Sequence, residues 1–214
     1  MSNTVELLGY YGGDDTHALS AWQSTKREIT PERRARMPQF LKDLASGHTM
    51  PHATPFEKSA IHFQLTTDLA THIHLLKHRV GVSLNAESAR YKEFKEDRFY
   101  VPDDWPEGHR LAAELHYDYV ARLYHQFVEE LTPKLGRKRA KESARFVLPY
   151  GHQLSSDVMF NFGSFVHFQR LRNSPDAQKE IREIAQEMLR LVKATGKFDL
   201  SIAAFELEKC EEVK

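Results

Sequence analysis

The densest chemistry in the chain lies in Lys77-His78-Arg79-Val80-Gly81-Val82-Ser83-Leu84-Asn85-Ala86-Glu87-Ser88-Ala89-Arg90-Tyr91. Two cations and an imidazole stand at one end. A carboxylate, a hydroxyl, a guanidinium and a phenol stand at the other, joined through a Val-Gly-Val hinge. Arg90 offers a planar fork with the Ser88 hydroxyl two residues away. In an extended segment those two side chains share a face, which suits a phosphate or a carboxylate. The plainer account of the same residues is a solvated basic helix end followed by a polar loop. Asp68 with His72, and His74 with His78, are spaced four apart, which on a helix puts each pair on one face and could hold a metal. The glutamate of a His-Glu-x-x-His motif is missing, so no metal is assigned. Cys210 sits among Glu206, Glu208, Glu211 and Glu212, whose charges disfavour a thiolate and make it a poor nucleophile. Ser88 has no general base beside it in sequence and is assigned to binding rather than attack.

These groups need elements to hold them. Residues 68–76 predict a helix, with Leu69, Ile73 and Leu76 at helical spacing, Asp68 as N-cap and Lys77, His78 and Arg79 in the last turn. After Gly81 the chain turns Ser/Asn-rich and leaves the helix. Upstream, Val5–Tyr11 reads as a strand closed by a Gly-Gly-Asp-Asp turn, and residues 16–24 as a short helix. Thr30-Pro31 starts a helix to about Ala45, with Pro38 a candidate kink. Lys58–Thr66 alternates as a half-buried strand. Downstream come an extended arm (Arg90–Val101), a turn (Pro102–Pro106) and a long helix over Gly108–Leu131 with Leu111, Leu115, Tyr119, Leu123 and Phe127 near one stripe, a face for a core or a second subunit. A helix over Arg137–Phe146, an extended Gln153–Asn161, a helix over Gly163–Arg172 and a helix from Ser174-Pro175-Asp176 to about Ala194 follow. The tail from Glu206 is acidic and expected to fray. Few strands and several helices, not strictly alternating, predict an α+β class, an antiparallel or mixed sheet flanked by long helices, within a single domain over residues 1–214.

Thirty basic and thirty acidic residues cancel, which argues against a nucleic-acid or membrane-surface binder. The Arg-Lys-Arg-Ala-Lys run at 137–141 reads as a solvated helix face. No apolar run approaches membrane-spanning length, no secretory leader is visible, and one cysteine excludes an internal disulfide. These facts fit a soluble cytoplasmic protein.

The central stretch resembles the signature of the flavin-dependent thymidylate synthases: Arg-His-Arg, seven residues, then Ser-x-Arg-Tyr. Here Ser83, Asn85, Ser88, Arg90 and Tyr91 align, while Lys77 replaces the first arginine, eight residues separate Arg79 from Ser88, and Ala86 precedes Glu87 where the family has its glutamate directly after the asparagine. Three more segments resemble the family in order. They are His52-Ala53-Thr54-Pro55-Phe56-Glu57, Ala144-Arg145-Phe146-Val147-Leu148-Pro149, and Leu171-Arg172 with Ala177-Gln178. Asn161 stands eleven residues before Arg172, at a flavin-contacting position. Ile73, His74, His167 and Asp176 depart from the family pattern.

The resemblance implies a homotetramer with active sites at subunit interfaces. It implies FAD held by His52, Thr54, Glu57, Lys77, His78, Arg79, Asn161 and His167, the basic residues stabilising the anionic reduced ring. It implies a nucleotide held by Ser88, Arg90, Arg145 and Arg172, with His74, Glu87 and Tyr91 as further contacts and Ser88 and Arg172 as the candidate catalytic residues. The implied reaction is reductive methylation of dUMP to dTMP, with methylenetetrahydrofolate as carbon donor and NADPH as reductant. The departures leave open a UMP methylase, a base-hydroxymethylating relative, or a flavin- or nucleotide-binding protein without catalysis; the paired spacing of Asp68 with His72 and His74 with His78 leaves open a histidine-metal hydrolase.

Overall fold

The structure, a computed structural model, describes residues 1–46, 52–88 and 91–211, except the side chains of residues 210 and 211. In chain order the elements are β1 (Thr4–Tyr11), α1 (Asp14–Ala21), α2 (Pro31–Ser46), β2 (Ala60–Asp68), α3 (Leu69–Leu76), β3 (Val82–Ala86), α4 (Glu107–Leu135), α5 (Arg137–Ala144), β4 (Gln153–Phe160), α6 (Phe162–Arg172), α7 (Lys179–Ala194) and α8 (Asp199–Ala204). The strands form one antiparallel sheet in the order β1-β2-β4-β3, so the class is α+β, as the sequence predicts. Asn161 N–H donates to the Gly81 carbonyl and Glu87 N–H to that of Ser155. Numbers that rise along β3 while falling along β4 mark that pairing as antiparallel.

Local rules account for most of the boundaries. In β2 the residues Ile61, Phe63 and Leu65 are fully buried while Ala60, His62 and Gln64 are half-buried, as a period of two requires. The Thr30 hydroxyl accepts from Arg33 N–H at the start of α2. Asp68 caps α3, one carboxylate oxygen accepting from Thr71 N–H at 2.8 Å and the other from the Thr71 hydroxyl and Asn3.

The differences have physical reasons. α3 ends at Leu76, and Lys77, His78 and Arg79 follow it rather than forming its last turn; its buried residues are Thr71, His72 and Leu75, while Leu76 is exposed. In α4 the buried side is Val120, Ala121, Tyr124 and Val128, with Leu111, Leu115 and Tyr119 each more than half exposed. Tyr124 and Val128 are chosen by tertiary partners, Ala144, Phe94, Val147 and Leu148, which a stripe drawn on α4 alone cannot register. α7 begins at Lys179, because Ser174 closes a turn instead, accepting from Ala177 N–H and Asp176 N–H. α8 has no counterpart among the predicted elements, and Leu207, in the tail expected to fray, is fully buried in a short 3-10 turn over Leu207–Glu211.

The chain divides into two compact units. The first gathers Met1–Thr4, Thr66–Leu75 and Asn85–Ser156; the second gathers Val5–Leu65, Leu76–Leu84 and Asp157–Lys214. In the first, α4 packs along α5. In the second, α2 packs on α8, and α6 on α7 and on a 3-10 turn, Thr54–Glu57. Among the described residues no helix is long and apolar enough to cross a membrane.

The second unit is centred on a fully buried histidine, His17, ringed by Phe56, Phe162 and Phe198. Ser201 Oγ donates to Asp14 at 2.5 Å, so it accepts from His17 Nδ1–H at 2.8 Å, and Ser59 Oγ then donates to Nε2 at 2.8 Å. Asp14 also accepts the N–H groups of Leu200 and Ser201, fastening the start of α8. Burial pushes His17 down to about 4. An unfolded imidazole titrates near ~6.5, so between those values the unfolded chain binds a proton that the folded chain refuses. This contribution to stability is whole above about pH 6.5 and falls as pH drops towards 4, by about 3 kcal/mol at ~1.4 kcal/mol per unit. Asp14, raised mainly by burial, works with the opposite sign on acidification. The informative measurement is therefore the difference between the protein and His17→Asn in urea midpoints from pH 7.5 to 4.5; equal slopes would exclude His17 as the source.

Candidate functional site

Ser88 is positioned by the end of β3. Because Glu87 N–H continues the ladder onto the Ser155 carbonyl, the chain leaves the sheet at a defined point with Ser88 next. Glu87 is itself pinned. One carboxylate oxygen takes Lys92 Nζ at 2.7 Å; the other takes Arg98 Nη2 at 2.6 Å and Ser155 N–H at 2.8 Å. Arg98 Nη1 reaches Ser155 Oγ at 3.0 Å, closing the ring of contacts. Burial pushes the Glu87 carboxyl upward, but Lys92, the Ser155 N–H and Arg98 together hold it below its ordinary value. With its oxygens engaged in this way, Glu87 serves as a strut for Ser88.

Arg145 comes from the other side of the same unit. α5 ends at Ala144 and tightens into a 3-10 turn over Arg145–Val147, which leaves Arg145 and Phe146 exposed, the guanidinium carbon 5.8 Å from the Phe146 ring centre. Ser88, Glu87 and Arg145 line a cavity of about 320 Å³ together with Phe94, Phe146, His152 and the leucines at 69, 148 and 154. That size suits a mononucleotide: apolar and aromatic walls, few polar groups and a cation at an exposed position. A second cavity, about 520 Å³ in the other unit, is lined by Asp14, Asp15 and Asp199 as well as Lys197 and Arg34, the last held bidentately by Asp15.

The residues expected to hold flavin gather in the second unit. Gly81, at a φ of 65°, lies so close to Asn161 and Ser164 that a Cβ there would meet Ser164 Oγ at 2.2 Å and Asn161 Nδ2 at 2.3 Å. Asn161 caps α6, its Oδ1 accepting from Ser164 N–H, while Ser164 Oγ donates to the Val80 carbonyl. Across the same helix start, Glu57 approaches Gly163. His78 is buried, edge-on to Phe168 and 5.6 Å from the exposed His167. Arg172 Nε donates to His78 Nε2 at 3.1 Å, so that nitrogen is the acceptor in this contact. Lys77 and Arg79 are exposed and have no carboxylate partner among the described residues, the donor chemistry an anionic dinucleotide needs.

The other sequence candidates are scattered. His52 and Thr54 are exposed, Thr54 opening the 3-10 turn that packs on α6. His74 is half-buried on α3, and Tyr91 is exposed outside the cavity lining. Arg90 lies outside the described residues. Arg172 belongs to the second unit, Ser88 and Arg145 to the first. Asp68 is consumed by capping, and among the described residues no cluster of three or more His, Cys, Asp or Glu side chains is arranged to hold a metal. The sequence missed Arg98 and His152. Neither stands at a local spacing from the signature; Phe94 was visible only as one aromatic of an extended arm.

A family model described as thymidylate synthase complementing protein matches residues 6–195. A flavin-dependent thymidylate synthase of Streptomyces avermitilis is 29% identical over 86% of this chain and 84% of its own. One of Thermosipho melanesiensis is 30% identical over 88% and 83%. Among solved structures, a UMP/dUMP methylase from Streptomyces cacaoi bound with 5-Br dUMP superposes with a TM-score of 0.78 at 25% identity, over 96% of both chains.

Proposed function

The chain belongs to the thymidylate synthase complementing protein family, the flavin-dependent thymidylate synthases, and on that premise we propose that it is a cytoplasmic enzyme that methylates dUMP to dTMP. The observation that carries this reading is the cavity in which Ser88 and Arg145 come together beside aromatic walls. Arg145, and Arg90 two residues beyond Ser88, bind the phosphate, with Ser88 adding a hydrogen bond. Arg172, whose Nε donates to His78 Nε2, is a further nucleotide contact of this reading. FAD would be held by Lys77 and Arg79 at its anionic part, with His52, Thr54, Glu57, His78, Asn161 and His167 around it. Flavin bound there would supply the reducing power for completing the methyl group, with methylenetetrahydrofolate as carbon donor and NADPH as reductant. The exposed α4 residues Leu111, Leu115 and Tyr119 support self-association, in keeping with a homotetramer whose sites form between subunits.

The test is calorimetric titration of the flavin-loaded protein with dUMP, followed by turnover. Arg145→Ala is expected to weaken dUMP about 30-fold or more, since a charge-assisted hydrogen bond is worth roughly 2 kcal/mol or more. Unchanged affinity would remove Arg145 from the phosphate site. A second reading, UMP as substrate, is favoured by the structural likeness to a UMP/dUMP methylase. Side-by-side turnover decides: activity on UMP alone would overturn the dUMP assignment.

A further inference from the structure

His152 is only 5% exposed, yet among the described residues no protein group hydrogen-bonds its ring. Two aromatic rings pack against it. Phe94 lies with its ring centre 4.6 Å away and Phe99 at 5.6 Å, and a backbone bridge to Phe99 fixes the segment. The ring lines the cavity of Ser88 and Arg145. Its ring nitrogens are therefore available to a group that enters the cavity, as one donor and one acceptor.

The character of that ligand group follows from the neighbours. Arg98, beside Glu87, and burial both oppose a charge on the ring, which is held down at about 4. A neutral imidazole has one donor and one acceptor and no Coulomb attraction for a phosphate. Arg145, exposed and cationic, is the phosphate group's partner in the same cavity. A sugar hydroxyl or a base amide or carbonyl matches His152 instead.

We propose that His152 is a specificity-determining residue that reads the nucleoside part of the nucleotide by a neutral hydrogen bond, buttressed by Phe94 and Phe99. The inference rests on the assignment of this cavity to a uridine nucleotide and deepens it. It places phosphate recognition and nucleoside recognition on different side chains of one cavity.

The experiment compares the flavin-loaded protein with His152→Phe and His152→Asn, measuring melting temperature without ligand and the affinities for dUMP and for inorganic phosphate. His152→Phe replaces a buried polar ring by an apolar one, so the ligand-free melting temperature is expected to hold or rise. Its dUMP affinity is expected to fall about tenfold or more while phosphate affinity stays level, and His152→Asn, which restores a donor and an acceptor, is expected to recover part of the loss. A purely structural role would lower the melting temperature instead. The proposal is overturned if His152→Phe binds dUMP within about twofold of the parent, or loses phosphate in the same proportion. If the parent protein binds no uridine nucleotide at all, the cavity assignment itself fails, and the inference falls with it. Should His152→Phe not fold, the ligand-free stability and affinities of His152→Asn decide by the same criteria, with smaller expected shifts.

Discussion

Glu87→Ala is expected to destabilise the protein by about 3 kcal/mol and to weaken nucleotide binding with it. The carboxylate is largely buried, 14% exposed, and faces the equally covered Arg98, 17% exposed. Removing one partner of such a pair strands the other, which costs roughly 3–5 kcal/mol when burial is complete and less here. Ser155 N–H loses its side-chain acceptor as well, and Lys92 its ion pair. At about 2–4 °C per kcal/mol for a chain of this size, melting should fall by roughly 6–12 °C. The double variant Glu87→Ala with Arg98→Ala separates the pair from its surroundings. If Arg98 is stranded by the first change, removing it relieves part of the loss, and the coupling should exceed about 1 kcal/mol. A coupling near zero would mean that the contact contributes nothing to folding. The pH sign is set by the depressed carboxyl: the contribution is whole above the ordinary glutamate range and is lost as pH falls through the lower folded value. Ser88 leaves the sheet directly after this strut, so the binding loss should appear with dUMP even at temperatures where the variant is folded.

Gly81→Val is expected to be of similar size and to act on the cofactor. The residue sits at a φ of 65°, where a β-branched side chain is strongly disfavoured, at a cost of about 1–2 kcal/mol for any residue with a Cβ. The added atoms would also displace Asn161 and Ser164. Neither can move freely, because Asn161 holds the first turn of α6 and Ser164 holds the Val80 carbonyl. Loss of the cap and of that hydrogen bond adds about 1 kcal/mol each, for a total near 3 kcal/mol. Because Lys77, Arg79 and Asn161 are proposed to bind FAD, the variant should be purified with little flavin, read as visible absorbance per protein. Full flavin content with an unchanged melting temperature would show that Gly81 is tolerant and Asn161 dispensable.

How much of this was legible beforehand depends on the range over which each residue acts. Short-range rules placed the strand pattern of β2, the caps at Thr30 and Asp68, and a helix from residue 69, because each depends on neighbours within one or two turns. The motifs around Thr54, Ser88, Arg145 and Arg172 pointed to a flavoenzyme acting on a nucleotide, and the family match agrees with that class. The Glu87–Arg98–Ser155 contacts, the packing of Phe94 and Phe99 against His152, and the Arg172–His78 hydrogen bond were not legible. Those residues are joined by backbone pairing and packing between segments far apart in the chain, and the protonation of a buried group follows from what is packed on it. The amino-acid order by itself determined which residue types are available, where several of the helices and strands begin, and the α+β class. The tertiary structure alone decided which side of α4 is buried, which carboxylate is a strut and which imidazole lines the cavity beside Ser88 and Arg145. Periodicity and capping are read within a single element, whereas burial and charge are properties of the space between elements.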